Sequence, residues 1–128
     1  MTESPTYDAR ADKVVIRDVL DGLDEFWSQR IVGEANGTLL KVAKGTGSTV
    51  WHSHDDQDET FLVMDGRLVV QLRDRDVVLD AGDIFIVPRG VEHCPVAPDE
   101  ARFLILGTSI TSNAAGGKPA WSHSQPAG

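Results

Sequence analysis

Short apolar runs separated by polar turns set the rhythm of this chain. The β-branched run Val14-Val15-Ile16 predicts a first strand. Residues 18–30 then place Val19, Leu20, Leu23, Phe26 and Trp27 at near-helical spacing, which predicts a short helix or helical turn. Ile31-Val32 predicts a short strand, Asn36-Gly37 a hairpin turn, and residues 38–43 the strand after it. Residues 50–54 and 60–64 read as the next two strands, followed by a second hairpin turn at Asp65-Gly66. Residues 67–73 alternate: Leu68, Val70 and Leu72 face one side, and Arg67, Val69, Gln71 and Arg73 the other. After the turn 74–76 comes a strand over 77–79, then a turn over 81–83. Strands over 84–87 and 101–106 complete the set. Many short strands at close spacing predict an all-β barrel or sandwich.

The pattern also bounds the domain. Residues 1–12 are polar and read as an N-terminal arm, and residues 13–111 as one barrel domain. From Thr108 the composition shifts to Thr, Ser, Ala, Gly and Pro and the strand pattern stops, so residues 112–128 read as a tail. A chain of 128 residues is the size of one domain. The formal net charge of -8 lacks the basic footprint of a nucleic-acid binder and disfavours an anionic membrane surface. The single cysteine, Cys94, allows no intrachain disulfide and points to a reducing compartment. With no signal-peptide core at the N-terminus and no apolar run of about 20 residues, a cytoplasmic protein is expected.

Candidate chemistry gathers in two stretches. Residues 45–66 carry His52, His54 and Glu59, and residues 82–93 end on His93. Side chains at i and i+2 of an extended chain share a face, so His52 and His54 project together. The polar run 55–58 reads as a turn, and Glu59 opens the next apolar run. A neighbouring strand lies about 4.8 Å away, close enough for Glu59 to reach a metal held by both histidines. His93 follows a further turn at Pro88-Arg89-Gly90.

These residues resemble the two motifs of the cupin superfamily. His52-Ser53-His54, four residues, Glu59, six residues and Gly66 match the first motif; Gly82, Pro88, Gly90 and His93 match the second. Two positions depart. Thr46, between Gly45 and Gly47, stands where the first motif opens on glycine, and Ala97 stands where the second ends on asparagine. The resemblance spans residues 14–107 and is to small single-domain bacterial cupins called phosphomannose-isomerase-like, a label that describes fold and not reaction. It implies an all-β jelly-roll (double-stranded β-helix) barrel. It further implies one divalent transition metal ion (Fe, Mn, Ni, Zn, Co or Cu) held by His52, His54, Glu59 and His93. Three neutral imidazoles and one carboxylate leave a divalent ion with a charge of about +1, which suits an anionic or enolate-like oxygen ligand. Affinity is expected to fall below about pH 6.5, where free histidine protonates.

Cupins dioxygenate, isomerise, decarboxylate or act as lyases, so the resemblance implies a metal-dependent enzyme acting on a small organic molecule. Dioxygenase-type chemistry is favoured by the apolar strands around the ligands. The alternative is a non-catalytic module that holds a metal and a small ligand. Cupin barrels pair through a sheet face, and apolar residues on both faces, as at Leu39/Leu40 and Val69/Val70, predict a homodimer. Outside the ligands, Cys94 reads as a small buried hydrophobe, Asp58 as a turn residue and Glu92 as a salt-bridged surface residue. Trp27 reads as core, and Trp51 as packed on the face opposite His52, in the core or at a dimer contact. Tyr7 lies in the arm and His123 in the tail. No general acid or base is evident; Gln29, Arg30, Asn36 and Gln71 are the polar candidates.

Overall fold

Residues 13–108 are described by the structure, a computed structural model. The arm at 1–12, with Tyr7, and the tail at 112–128, with His123, lie outside the described residues. Among the described residues one helix, α1 (Ile16–Asp21), is followed by seven strands: β1 (Arg30–Ala35), β2 (Thr38–Ser48), β3 (Glu59–Asp65), β4 (Arg67–Leu72), β5 (Asp76–Asp80), β6 (Ile84–Val87) and β7 (His93–Gly107). All pairings are antiparallel. The path runs β1-β2-β7-β3-β6, and β4 joins β5 to the first part of β7. The long β7 therefore serves both halves: residues 93–96 pair with β4, and residues 102–106 with β3. The fold is the expected all-β cupin-type barrel.

Alternation places the core. Leu68, Val70 and Leu72 of β4 point inward with Phe61, Val63, Phe103, Ile105, Ala43, Leu79 and Val87. A second cluster lies on the outer face, where Leu20 and Leu23 cover Val32, Val42 and Leu104, with Ile16 and Val19 against them. This overturns the strand expected at 14–16. Ile16, Val19, Leu20 and Leu23 have the i, i+3, i+4, i+7 spacing of one helical face. Burying that face outweighs the β-propensity of three branched residues. Val14 and Val15 remain exposed ahead of the helix. The expected strand over 50–54 is also absent. Val50 and Trp51 are exposed, and the segment touches the sheet only through a single bridge at His52.

The glycine shift in the first motif has a structural cause. The β2–β7 register slips between Gly45 and Gly47, so the strand carries a bulge where Thr46 sits. Gly45 is required for another reason: a Cβ there would stand 2.6 Å from the ring of Trp27. Ala97, the second departure, is fully buried in the core and pairs with Gly47 across the same two strands.

Candidate metal centre

Backbone bonds bring the two stretches together. His52 N–H donates to His93 O at 3.0 Å and His93 N–H returns the bond to His52 O at 2.9 Å. Gly90, with φ +80, donates its N–H to His54 O at 2.7 Å, which pins the Pro88-Arg89-Gly90 turn to the first stretch. Glu59 opens β3 opposite Val87, the last residue of β6. The result is that His52, His54, Glu59 and His93 are all buried and their ligand atoms lie within 4.8 Å of one another. Imidazole centroids are 4.4 Å apart for His52–His93, 5.0 Å for His52–His54 and 5.5 Å for His54–His93. His52 and His54 converge without a strand, because two extended residues two apart share a face in a loop as well.

The hydrogen bonds around the rings suit a cation. His52 Nδ1 lies 2.7 Å from Val50 O and His93 Nδ1 2.9 Å from Val91 O. A carbonyl only accepts, so each Nδ1 carries the proton and leaves Nε2 as the ligand atom. His93 Nε2 lies 3.0 Å from Glu59 Oε1, close enough to share a proton that an ion would replace. His54 Nε2 is buried with no hydrogen-bond partner, 3.6 Å from the same oxygen. A divalent cation among these atoms satisfies all of them, and a set of three imidazoles and one carboxylate suits a first-row transition ion better than magnesium or calcium.

Electrostatics prepare the same state. Burial, reinforced by the neighbouring His93, lowers the pKa of His52 to about 4. This imidazole is therefore neutral well below the pH 6.5 expected for a free histidine, and proton competition at this ligand begins lower than the sequence suggests. Burial pushes the Glu59 carboxyl up, but the imidazoles of His54 and His93 together hold it well below the usual carboxylate range. The donor set is thus already in its metal-binding protonation state at His52 and Glu59.

One side of the centre opens into a narrow cleft of about 20 Å³, part of it open to solvent. His52 and Glu59 reach it together with Trp27, Gln29, Phe61 and Phe103. Trp27, read from sequence as core, both packs on Phe103 (centroids 5.9 Å apart) and forms the cleft wall. Of the four polar candidates only Gln29 lines the cleft. Gln71 sits on the outward side of β4, Asn36 at the exposed β1–β2 hairpin, and Arg30 is half-buried at the start of β1. Cys94 is buried beside Ser48 and Thr49, Asp58 accepts the Arg89 N–H, and Glu92 pairs with Arg73, each as expected. Trp51 is not core: it is exposed, with the Arg73 guanidinium over its ring at 3.8 Å from the centre.

Lys41 is the residue that sequence reasoning missed. It is 0% exposed and pairs with Ile31 and Ile105, so it occupies the inward row of β2 with Ala43. Burial lowers its pKa to about 8, against the pull of Glu59. The available signal was its place in the Leu39-Lys41-Ala43 alternation, but that row could face either way until β2 had partners.

The sequence profile of the family described as Cupin domain matches residues 38–107, more than half of the chain. The chain is a cupin. Among solved structures, this cupin is similar to a cupin-2 domain protein from Shewanella frigidimarina, with 38% identity and a TM-score of 0.71 over 73% of this chain and 91% of that one. Among curated proteins it is 36% identical over 63 residues to YdbB of Bacillus subtilis. It is 27% identical over 66 residues to the 3-hydroxyanthranilate 3,4-dioxygenase of Xanthomonas campestris. Each match takes in 48% of this cupin, but 56% of YdbB and 38% of the dioxygenase, so the chain spans about half or less of those relatives.

Proposed function

We propose that this cupin is a metal-dependent enzyme acting on a small oxygen-bearing organic molecule, with dioxygenase-type chemistry preferred. The observation that carries the reading is a buried donor set with one side open to an apolar cleft. His52, His54, Glu59 and His93 would hold the ion; Trp27, Phe61, Phe103 and Ile105 wall the cleft and exclude water around a bound molecule. When bound, the ion supplies Lewis acidity or a redox centre. The 66-residue similarity to a dioxygenase supports the preference. The cytoplasm is the proposed location, supported by the single cysteine; among the described residues no helix is long and apolar enough to cross a membrane.

A non-catalytic binding module is the second reading, and one observation favours it. Among the described residues, no titratable side chain apart from His52 and Glu59 lines the cleft, so none of them offers a separate general acid or base to a ligand there. The metal-loaded protein is tested against a panel of catechols, diketones, enols and carboxylates, following oxygen uptake and substrate loss. Turnover that disappears on chelation is expected; ligand binding without turnover across the panel overturns the enzyme in favour of the module.

We also propose that the chain forms a homodimer. Leu40 packs under α1 and Val70 in the core, so the sequence-expected face is largely consumed. The two most exposed large apolar residues among the described ones are instead Ile84 (61%) and Ile86 (53%), both on β6. Because β6 ends the path of paired strands, a second copy could cover it. Light scattering at micromolar concentration is expected to return twice the chain mass; a monomer removes the proposal.

A further inference from the structure

Gln29 is the polar side chain of the cleft that holding the ion does not require. It is 4% exposed, and its Oε1 is buried with no hydrogen-bond partner. A buried acceptor left unpaired is costly, and native structures keep very few without a reason. Gln29 lines the same cleft as His52 and Glu59.

The segment carrying it is fastened in place. Trp27 has φ +65, a left-handed conformation unusual for a bulky residue. Its N–H donates to Lys44 O at 2.6 Å, and its Nε1–H to Thr46 O at 3.1 Å. Its ring lies against Gly45, where no side chain would fit, and against Phe103. Gln29 follows two residues later, directly before β1. Strain of this kind persists only where the surroundings enforce it, and it gathers at ligand clamps. Here the clamp holds Gln29 against the cleft with an unpaired carbonyl.

We propose that Gln29 is a specificity-determining residue whose side-chain carbonyl accepts a hydrogen bond from an N–H or O–H group of the molecule bound at the metal centre. This rests on the reading of His52, His54, Glu59 and His93 as an open metal site. The ligand class is a small, flat molecule that offers oxygen atoms to the ion and carries a hydrogen-bond donor beside them. The aromatic walls of Trp27, Phe61 and Phe103 suit a flat unsaturated body, and the narrowness of the cleft keeps it small. A site built to receive a donor rejects analogues that lack it, because its own polar group is then left unpaired.

Benzohydroxamate and its N-methyl derivative test this as a matched pair. Both chelate through two oxygens, and only the first carries an N–H. Calorimetric titration of the metal-loaded wild type is expected to favour the N–H probe by about ten-fold or more. In Gln29→Met, which keeps the length and removes the acceptor, that preference falls to within about two-fold while N-methyl binding is unchanged. Metal-free Gln29→Met is expected to melt at the wild-type temperature or slightly above it, since the variant removes an unpaired polar atom. A melting temperature lowered by several degrees makes Gln29 structural and overturns the proposal. So does equal binding of the two probes by wild type, or a preference that survives in the variant; these outcomes leave the metal site standing. Failure of both probes to bind protein that holds its ion removes the open-site reading itself, and the inference with it.

Discussion

Exchanging both His52 and His54 for alanine is expected to abolish binding of a divalent ion while leaving the barrel folded. Wild-type protein should hold one ion per chain, because the four donors converge on a single point. Loss of partners that merely orient a ligand costs about 10- to 100-fold in affinity. Removing two direct donors should exceed that, and leaves only Glu59 and His93. The fold should survive, because the bridge between residues 52 and 93 is made by backbone atoms and the inward cluster contains neither histidine. Elemental analysis after dialysis measures occupancy, and circular dichroism the sheet content. Full occupancy in the double variant would eliminate the assigned site. Loss of the sheet spectrum on chelation of wild type would show that the ion is structural, as in small zinc domains that unfold without it.

Acid should unfold the metal-free protein through a defined window. His52 titrates near 6.5 when unfolded, but only at about 4 in the folded protein. Between those values the unfolded chain binds a proton that the folded chain refuses, so stability rises with pH across the window and is lost as pH falls through it. A difference of this size corresponds to about 3 kcal/mol, a large share of the roughly 5–15 kcal/mol that holds a typical domain together. Glu59 acts lower. Its folded pKa is depressed, so its contribution is present above the ordinary carboxylate range and is lost as pH falls through the depressed value. Urea unfolding of chelated protein at pH 7, 5.5 and 4 checks this against His52→Gln, which has no proton to refuse. The wild type should lose more stability than the variant between pH 7 and 4. Parallel losses in the two proteins would contradict the assignment to His52.

The convergence of His52, His54, Glu59 and His93 was legible because its information is local. Two histidines two residues apart share a face whether or not a strand forms, and the turns at Asp55–Asp58 and Pro88-Arg89-Gly90 are written in residue type. The alternation of Leu68, Val70 and Leu72 likewise placed β4 and its buried side. The helix at Ile16–Asp21 was legible in part: Val19, Leu20 and Leu23 announced helical spacing, but three branched residues announce a strand over 14–16 until the apolar sheet surface they flank is known. The long β7 was hidden by Pro95 and Pro98, which argue against a strand; Pro95 nevertheless pairs with Val70. The roles of Trp27, Gln29 and Lys41 depend on which side of β1 and β2 faces inward. That is decided by register with distant strands rather than by nearby sequence.

The reciprocal backbone bonds between His52 and His93 have a consequence for exchange of the ion. They tie together two segments separated by forty-one positions using atoms that no ligand replacement touches. The donors are therefore gathered as the polypeptide folds, and capturing the ion needs little further loss of chain freedom. Such a cage would act as a fixed socket: ions could be swapped without dismantling the protein, and preference among them would fall to ionic radius and favoured angles rather than to adaptation of the walls.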